Sequence, residues 1–465
     1  MDSARTATTM TASAVVLGIA LGLGGCAVGT GGSATQDDTD YDSSAALTGK
    51  LTVMGFGASD EVATSRLDPT KEELGSDVDV DVELIEGDLD IQQFLSSVAS
   101  GQPPELLYAN RDQIGSLAAR GALLPLDACI AGEGIDTGQY RDTAIAQVTF
   151  GDEIYGIPEF NGIQITMANG DLLDATGLTL DDVNGSDPAA VTAASAALAK
   201  PDANPPVIGY DSKLPEFLPL WAKANGADLI SEDGRTAELD DPAVVDALEW
   251  AVGIYDAQGG FSSVKAVRDS ADFFGSGNQF ATNALGAMPM EQWYLNVLND
   301  VSPDAPLVFD TVRDRQGQPL AYASGSAWAI PAGSENTAAA CRWARVMTSV
   351  DAWQAAADAR LAARQDEGKP FTGILTANVE ADEAIRAMVT SGGEPWDSGV
   401  TAMYEANDHT FSLPANPADA EFKSVWQDAV NRVLNGQQEP QEALGQAQDE
   451  AQKALDKAWA TLDGE

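Results

Sequence analysis

The chain reads Tyr-Gly-Ile-Pro-Glu-Phe-Asn over residues 155–161, and this stretch decides which fold is predicted. A short run with strand character, residues 153–157, ends at Pro158, whose nitrogen has no hydrogen to donate to a sheet. The proline ring also keeps the residue before it extended. A carboxylate and an amide follow at once, at Glu159 and Asn161. We interpret the stretch as the first crossing between two lobes, with polar and aromatic groups at the hinge side of a cleft.

Composition favours a folded protein of two or more domains and excludes some functions. The chain has 465 residues, which is more than one ordinary core holds. Its net charge is −47, from 72 acidic against 25 basic residues, and such a field repels nucleic-acid phosphates. Because His409 is the single histidine, most histidine-based catalysis and most transition-metal sites are excluded. We therefore expect neither a nucleic-acid partner nor a metal or cofactor.

The N-terminal segment has the features of an export signal. An apolar run at residues 14–21 is too short, and its continuation too rich in glycine, to span a bilayer stably. It ends Leu-Gly-Gly-Cys at residues 23–26, which resembles the bacterial lipoprotein signal, where small residues precede a lipidated cysteine. This predicts a signal peptide over residues 1–25 and a palmitate-type lipid on Cys26, which anchors the protein to the outer face of a Gram-positive cell membrane. A plain secretory signal and an uncleaved anchor are the alternatives.

A tether and then a body of alternating strands and helices follow the signal. Residues 26–47 are rich in glycine, serine, threonine and aspartate, which predicts a flexible tether. Strand-like runs such as residues 51–54 and 105–109 then alternate with helix-like runs, and this order is typical of an α/β fold with a mostly parallel sheet. Residues 55–60 superficially resemble a dinucleotide-binding loop, but Asp60 stands where that loop needs glycine or alanine.

Several motifs, in their order and spacing behind a lipoprotein signal, are specific to one family. The motifs lie at residues 104–109, 121–127, 155–158, 239–255, 286–288 with Trp293, 324–330 running into 337–348, and 436–446. They resemble those of the carbohydrate-type extracellular solute-binding proteins of ABC importers, the maltose-binding-protein-like family 1. The resemblance covers nearly all of the mature chain.

The resemblance implies a two-lobed, periplasmic-binding-protein-like α/β fold. Each lobe would be a mostly parallel sheet flanked by helices, and the ligand would lie in the cleft between the lobes. Lobe 1 would comprise residues 48–158 plus 323–372, and lobe 2 residues 159–322 plus 373–465. Residues 371–378 would form a later crossing.

The resemblance also implies ligand-binding residues. Asp112 matches an acidic position that binds sugar hydroxyls, and Trp293 matches a tryptophan that stacks on a sugar ring. Carboxylates form strong hydrogen bonds with hydroxyls, and aromatic rings cover the apolar faces of sugars. A solvated or capping role for Asp112 and a core role for Trp293 are the alternatives. The candidate ligand residues are Phe56, Ser59, Asn110, Asp112, Glu159, Asn161, Trp293, Ser324, Gly325 and Trp396.

We therefore expect a binding protein and not an enzyme. It would capture a sugar or oligosaccharide as a monomer and deliver it to ABC permease subunits in the membrane. A polyamine suits the acidic composition, whereas glycerol phosphate needs basic groups and the candidate segments offer only Arg111. A surface glycosidase with two carboxylates is the remote alternative.

Two further cysteines, Cys129 and Cys341, leave two interpretations open. An oxidising compartment would permit a disulfide between them. Two buried free thiols are the alternative.

Replacing Cys26 by alanine tests the lipid anchor. The cysteine is the predicted lipid attachment site, so the Cys26→Ala variant should leave the membrane fraction. Immunoblots of fractionated cells measure this, with Ser33→Ala in the tether as the matched control that stays with the membrane. Retention of the Cys26→Ala variant in the membrane fraction would contradict the lipoprotein interpretation.

Overall fold

The computed structural model describes residues 41–44, 46–57, 60–83 and 89–464. One compact unit extends from Thr39 to Glu465. The predicted signal peptide, the predicted lipidation site Cys26, most of the predicted tether and the candidate ligand residue Ser59 lie outside the described residues. No helix in the described part of the chain has both the length and the apolar character needed to cross a bilayer.

Strands and α-helices alternate strictly over residues 49–119, as the sequence predicts, and after that they come mostly in runs of one type. The strands are β1 Gly49–Met54, β2 Val78–Glu83, β3 Leu106–Asn110, β4 Thr149–Phe150, β5 Glu153–Ile154, β6 Ile157–Pro158, β7 Gln164–Asn169, β8 Ile208–Tyr210, β9 Leu285–Glu291, β10 Leu307–Thr311, β11 Ala321–Tyr322, β12 Ser326–Ala329 and β13 Thr410–Phe411. The α-helices are α1 Glu61–Leu74, α2 Ile91–Ala99, α3 Ile114–Ala119, α4 Asp127–Glu133, α5 Asp142–Val148, α6 Gly170–Thr176, α7 Pro188–Leu198, α8 Leu218–Ala224, α9 Pro242–Asp256, α10 Phe261–Ser270, α11 Trp293–Val301, α12 Thr337–Met347, α13 Val350–Asp366, α14 Val379–Arg386, α15 Trp396–Asn407, α16 Asp419–Leu434 and α17 Pro440–Asp463. Short 3-10 turns cover Arg111–Gln113, Thr137–Gln139 and Leu180–Asp182.

Local sequence accounts for the helix boundaries, as α9 illustrates. The Asp241 carboxylate caps the helix by accepting a hydrogen bond from the Ala243 backbone N–H at 2.7 Å, and Pro242 occupies the first turn. Val244 and Leu248 lie on the buried face of the helix, four residues apart, at the spacing that predicts one apolar stripe.

The described residues form two main sheets, and both are mixed. Their strand orders are β2-β1-β3-β12-β6 and β10-β7-β9-β8. The pairs β1–β2, β1–β3 and β8–β9 are parallel. The pairs β3–β12, β6–β12, β7–β10 and β7–β9 are antiparallel. The α/β class is confirmed, but the expectation of mostly parallel sheets is wrong. In the five-stranded sheet the reason is that β12 enters only after the chain has passed through the other sheet, so no βαβ unit sets its direction relative to β3 and β6.

Each sheet has its own hydrophobic core. In β12, Trp328 packs in one cluster and Ala327 and Ala329 pack in another, because successive side chains of a strand point to opposite faces. The four-stranded sheet packs into a third and larger cluster, which includes the fully buried Tyr255 of α9 and Trp426 of α16.

The chain crosses between the two sheets at residues 159–163, which include Glu159 and Asn161. Strand β6 lies at the edge of the five-stranded sheet, and the next strand, β7, lies in the four-stranded sheet. Between them, Phe160 forms a β-bridge with Thr376 and Gly162 forms one with Ser324. Three chain segments therefore run side by side at this point. The boundaries of the two lobes remain a prediction.

A disulfide joins Cys129 of α4 to Cys341 of α12. Both cysteines are buried in one hydrophobic cluster on the five-stranded sheet. The bond connects residues 212 positions apart, and a cross-link of this kind typically stabilises a folded domain by about 2–4 kcal/mol.

Candidate functional site

A cavity of about 350 Å³ lies where strand ends of both sheets meet. Asn110 ends β3, and Ser324 precedes β12 in the same sheet. Gln164 and Glu291 are paired residues at the ends of β7 and β9 in the other sheet. Helix α16 supplies a further wall, which includes Lys423. Both sheets thus contribute to one cavity at their edges, the position where α/β folds commonly bind ligands.

A depression of about 370 Å³ contacts the four-stranded sheet alone, at Ile208 of β8. Two still larger depressions of the surface have no relation to the main sheets. One of about 640 Å³ lies between α9 and the loop after α16. The other, of about 790 Å³, lies beside Phe150 and Trp459. Neither is lined by a described residue of the two main sheets. We therefore take the cavity between the sheet edges as the candidate ligand site.

Four of the predicted ligand residues line this cavity, namely Asn110, Asp112, Ser324 and Gly325. Gly325 has a φ of +147°, and a Cβ at this position would collide with the carbonyl oxygen of Phe160. Glycine is therefore required where the chain approaches the first crossing. The structure brings the four residues together although they are distant in sequence.

Asp112 forms an ion pair with Lys423 of α16 across one side of the cavity. Its Oδ2 lies 2.6 Å from Lys423 Nζ, and the two side chains are 31% and 46% exposed. Exposed pairs of this kind stabilise a protein by at most about 1 kcal/mol. Both groups therefore remain available to a polar ligand at little cost.

Acidic groups outnumber basic ones around the cavity. Among the described residues that line it, Asp112, Glu216 and Glu291 are acidic and Lys423 is basic. Glu291 Oε2 accepts a hydrogen bond of 2.7 Å from the indole Nε1 of Trp293. The side chain of Trp293 is 38% exposed, so this predicted ligand residue lies at the surface next to a carboxylate that lines the cavity.

Glu159 binds a buried arginine and does not line the cavity. Its Oε1 lies 2.6 Å from Arg66 Nη1, and both side chains are fully buried. The Arg66 guanidinium in turn lies 4.0 Å from the centre of the Trp353 ring. Burial raises the pKa of Glu159, and the guanidinium of Arg66 opposes that rise. The geometry thus gives Glu159 a structural role in place of the predicted ligand contact.

Asn161 is likewise buried, in a hydrogen-bond network around Arg111. Arg111 Nη2 donates to Asn161 Oδ1 at 2.7 Å and to the Ser324 carbonyl oxygen, and Nη1 donates to the Phe160 carbonyl oxygen at 3.2 Å. Burial lowers the pKa of Arg111 to about 9, so the guanidinium remains charged at neutral pH. One cation therefore holds two of the crossing segments together.

The network continues from Asn161 to the third crossing segment. Asn161 Nδ2 donates to Asn407 Oδ1 at 2.7 Å, and Asn407 Nδ2 donates to Asp382 Oδ2 at 2.8 Å. Asp382 also forms an ion pair of 2.9 Å with Arg141 and accepts a hydrogen bond from the Thr376 backbone N–H at 2.7 Å. Burial raises the pKa of Asp382 to about 6. All three crossing segments are thus connected through buried polar groups.

Phe56 and Trp396 are core residues and do not line the cavity. Phe56 is 2% exposed and packs against Tyr108 and Trp328, with ring centroids 5.3 and 5.1 Å away. Trp396 is 5% exposed and packs against Phe309. The glycine-rich loop before Trp396 favours exposure, but this residue begins α15 and its ring lies on the buried face of that helix.

Several cavity residues are absent from the sequence-based set, among them Gln164, Glu216, Glu291 and Lys423. The tendency of α/β folds to bind ligands at strand ends could have identified Glu291. This residue ends β9, two residues before Trp293. Glu216 and Lys423 carry no local signal, since they lie in a loop and on a helix flank within a chain rich in charge. No group of His, Cys, Asp and Glu in the described ranges is arranged to hold a metal ion.

The family model for bacterial extracellular solute-binding proteins matches residues 58–352. The chain therefore belongs to the bacterial extracellular solute-binding proteins, and its role is to bind a substrate. No curated protein sequence matches it.

Solved structures of two ABC binding proteins and of one receptor share the fold. One from Thermotoga lettingae, bound with α-D-tagatose, has a TM-score of 0.67 and 20% identity, covering 88% of this chain and 100% of that chain. One from Listeria monocytogenes, in complex with cycloalternan, has a TM-score of 0.68 and 19% identity, covering 88% and 99%. The GacH receptor of Streptomyces glaucescens, solved unliganded and with acarbose, has a TM-score of 0.67 and 18% identity, covering 88% and 99%. These likenesses confirm the two-lobed α/β fold.

Replacing Glu159 by glutamine separates a structural role from ligand contact. The Glu159→Gln variant leaves Arg66 charged and buried without a counter-ion, so the free energy of unfolding should fall by about 3–5 kcal/mol. Urea unfolding followed by circular dichroism measures this. The matched control is Asp112→Asn, which breaks a half-exposed pair and should cost at most about 1 kcal/mol. Wild-type stability together with lost ligand binding in Glu159→Gln would contradict this assignment.

Proposed function

We propose that this protein is the substrate-binding component of an ABC importer and that it binds a sugar or oligosaccharide in the cavity between the sheet edges. One observation carries the proposal: carboxylates, amides and a hydroxyl from both sheets converge on one cavity beside the exposed ring of Trp293. Structures of similar fold are described with tagatose, cycloalternan, mannotriose and maltose bound.

The chemistry of the cavity suits a polyhydroxylated ligand. Asp112 and Glu291 can accept hydrogen bonds from hydroxyl groups, and bonds to ionised acceptors are the stronger kind. Asn110 offers both a donor and an acceptor. Trp293 offers an apolar surface for the C–H face of a sugar ring. A neutral ligand of this type needs no compensating charge from the protein.

Closure around the ligand is the proposed mechanism. Lobe 1, residues 48–158 plus 323–372, and lobe 2, residues 159–322 plus 373–465, would rotate about the crossing segments that Arg111 connects. Ligand contacts from both lobes favour the closed state, and a difference of a few kcal/mol in affinity shifts the population. The closed form would then be recognised by permease subunits in the membrane.

A cationic solute is the second candidate, because three carboxylates and one lysine line the cavity. A polyamine would pair with Glu216 and Glu291. Glycerol phosphate is less well supported, since Lys423 is paired with Asp112 and Arg111 is fully buried.

The proposal extends to where the protein acts and to its lack of catalysis. The protein acts outside the cytoplasm, with a lipid on Cys26 as its anchor to the outer face of the membrane, and as a monomer. It binds its ligand without catalysing a reaction. An enzymatic alternative would release reducing sugar on incubation with an oligosaccharide.

A Trp293→Ala variant tests the sugar site. The ring is partly exposed and its indole bonds a neighbouring carboxylate, so truncation should weaken sugar binding about tenfold or more and change the apo melting temperature little. A thermal-shift screen of mono- and oligosaccharides and of spermidine with the wild type identifies the ligand class, and calorimetry then compares the variant.

The outcome discriminates between the candidates. Stabilisation by spermidine and by no sugar would contradict sugar binding and favour the second candidate. A large loss of apo stability in Trp293→Ala would instead show that the ring is part of the core.

A further inference from the structure

An exposed aromatic pair lies next to the candidate site, on the loop after α10 and at the start of α11. Phe274 is 66% exposed and Trp293 is 38% exposed. Among the described residues the third exposed large hydrophobic side chain is Leu462, near the end of α17. Single exposed apolar residues are ordinary. Two that contact each other beside a ligand cavity form a small apolar patch, and such patches often mark binding sites.

The two rings form a stepped surface: they are nearly parallel but offset, so each leaves part of its surface exposed. Their planes are 15° apart, and their centroids are separated by 6.1 Å. Stacked planes touch at about 3.5–4 Å, so this separation means that the rings overlap near their edges only. Phe274 also contacts Phe273, whose ring lies 5.1 Å away at 84°. The rest of the Phe274 ring is free to contact another molecule, since the residue is 66% exposed.

The loop that carries Phe274 is held firmly by its neighbours. Phe273 stacks on Tyr294 with centroids 4.1 Å apart and planes 7° apart, and the Tyr294 hydroxyl donates to the Phe273 carbonyl oxygen at 2.9 Å. The fully buried Asn278 donates to the Gly275 carbonyl oxygen at 3.0 Å and to Ser302 Oγ at 2.9 Å. These contacts fix the backbone on both sides of Phe274, so its exposure does not come from a loose loop.

The aromatic pair is continuous with the candidate ligand site. Trp293 Nε1 bonds Glu291 Oε2 at 2.7 Å, and Glu291 lines the cavity. A ligand that occupies the cavity and extends past Glu291 therefore meets Trp293 first and Phe274 next. A fixed, exposed ring costs little conformational entropy on binding, which suits it to hold a further ring of an extended ligand.

We propose that Phe274 binds an additional sugar ring beyond the cavity, so that the protein selects oligosaccharides over monosaccharides. This inference rests on the proposed sugar-binding function. Phe274 would act as a residue that determines ligand length, whereas the cavity residues would bind the ligand of any length. The faces of the stepped rings would cover the apolar faces of consecutive sugar units.

Calorimetric titration with malto-, manno- and cello-oligosaccharides of one to five units tests the inference. For the wild type, affinity should rise with chain length in at least one series. In Phe274→Ala, the affinity for the longest member should fall about tenfold, while the shortest member that binds should be almost unaffected. Phe274→Trp should restore the gain with length. Leu462→Ala is the matched control, because it removes an exposed apolar side chain elsewhere and should behave as the wild type.

The outcomes separate this inference from the proposed function. Wild-type protein that binds no member of the three series contradicts sugar binding itself and removes the basis of the inference. Wild-type protein that binds sugars without a gain with length overturns the inference alone. Equal loss at every length in Phe274→Ala, or no loss at any length, also overturns it, and the second result would leave the permease as the partner of the exposed rings.

Discussion

A single buried guanidinium, that of Arg111, ties together two of the three crossing segments. It donates hydrogen bonds to the carbonyl oxygens of Phe160 and Ser324 and to the side chain of Asn161. A buried cation is costly unless its hydrogen bonds are made, so the crossing segments must stay near this group for the fold to be stable. The position of the crossings in turn fixes the strand ends that form the cavity. The candidate site thus depends on a side chain that does not line the cavity.

Buried and exposed ion pairs have different roles in this protein, because water weakens the attraction in the exposed pairs only. Glu159 and Asp382 are buried and paired with Arg66 and Arg141, where loss of a partner leaves an uncompensated charge. Asp112 and Lys423 are partly exposed, and their attraction is weakened by water. Buried pairs are therefore suited to hold the hinge region, and exposed pairs are suited to exchange with a ligand. The sequence pattern around each carboxylate does not reveal this difference.

Much of the fold could be predicted, because its signals are local. A proline, an acidic cap and an apolar stripe determine α9, and a short, almost continuous apolar run predicts β9. The order of motifs identified the family that residues 58–352 match. The strand directions could not be predicted, since they depend on how the chain crosses between the sheets. Asn110, Asp112, Ser324 and Gly325 were candidate ligand residues through the family resemblance, and in the structure they line the cavity. Glu159 could not be assigned, because its partner Arg66 is 93 residues away in sequence, and Phe274 could not, because its exposure is a property of the folded loop.

The central claim is that the two lobes close on a ligand held between them. Small-angle X-ray scattering of the mature protein, with and without a saturating sugar identified by thermal shift, tests this directly. The account predicts a smaller radius of gyration and a shorter maximum dimension in the liganded sample, because the ligand stabilises the closed state. Identical scattering profiles in samples whose occupancy calorimetry has verified would contradict it.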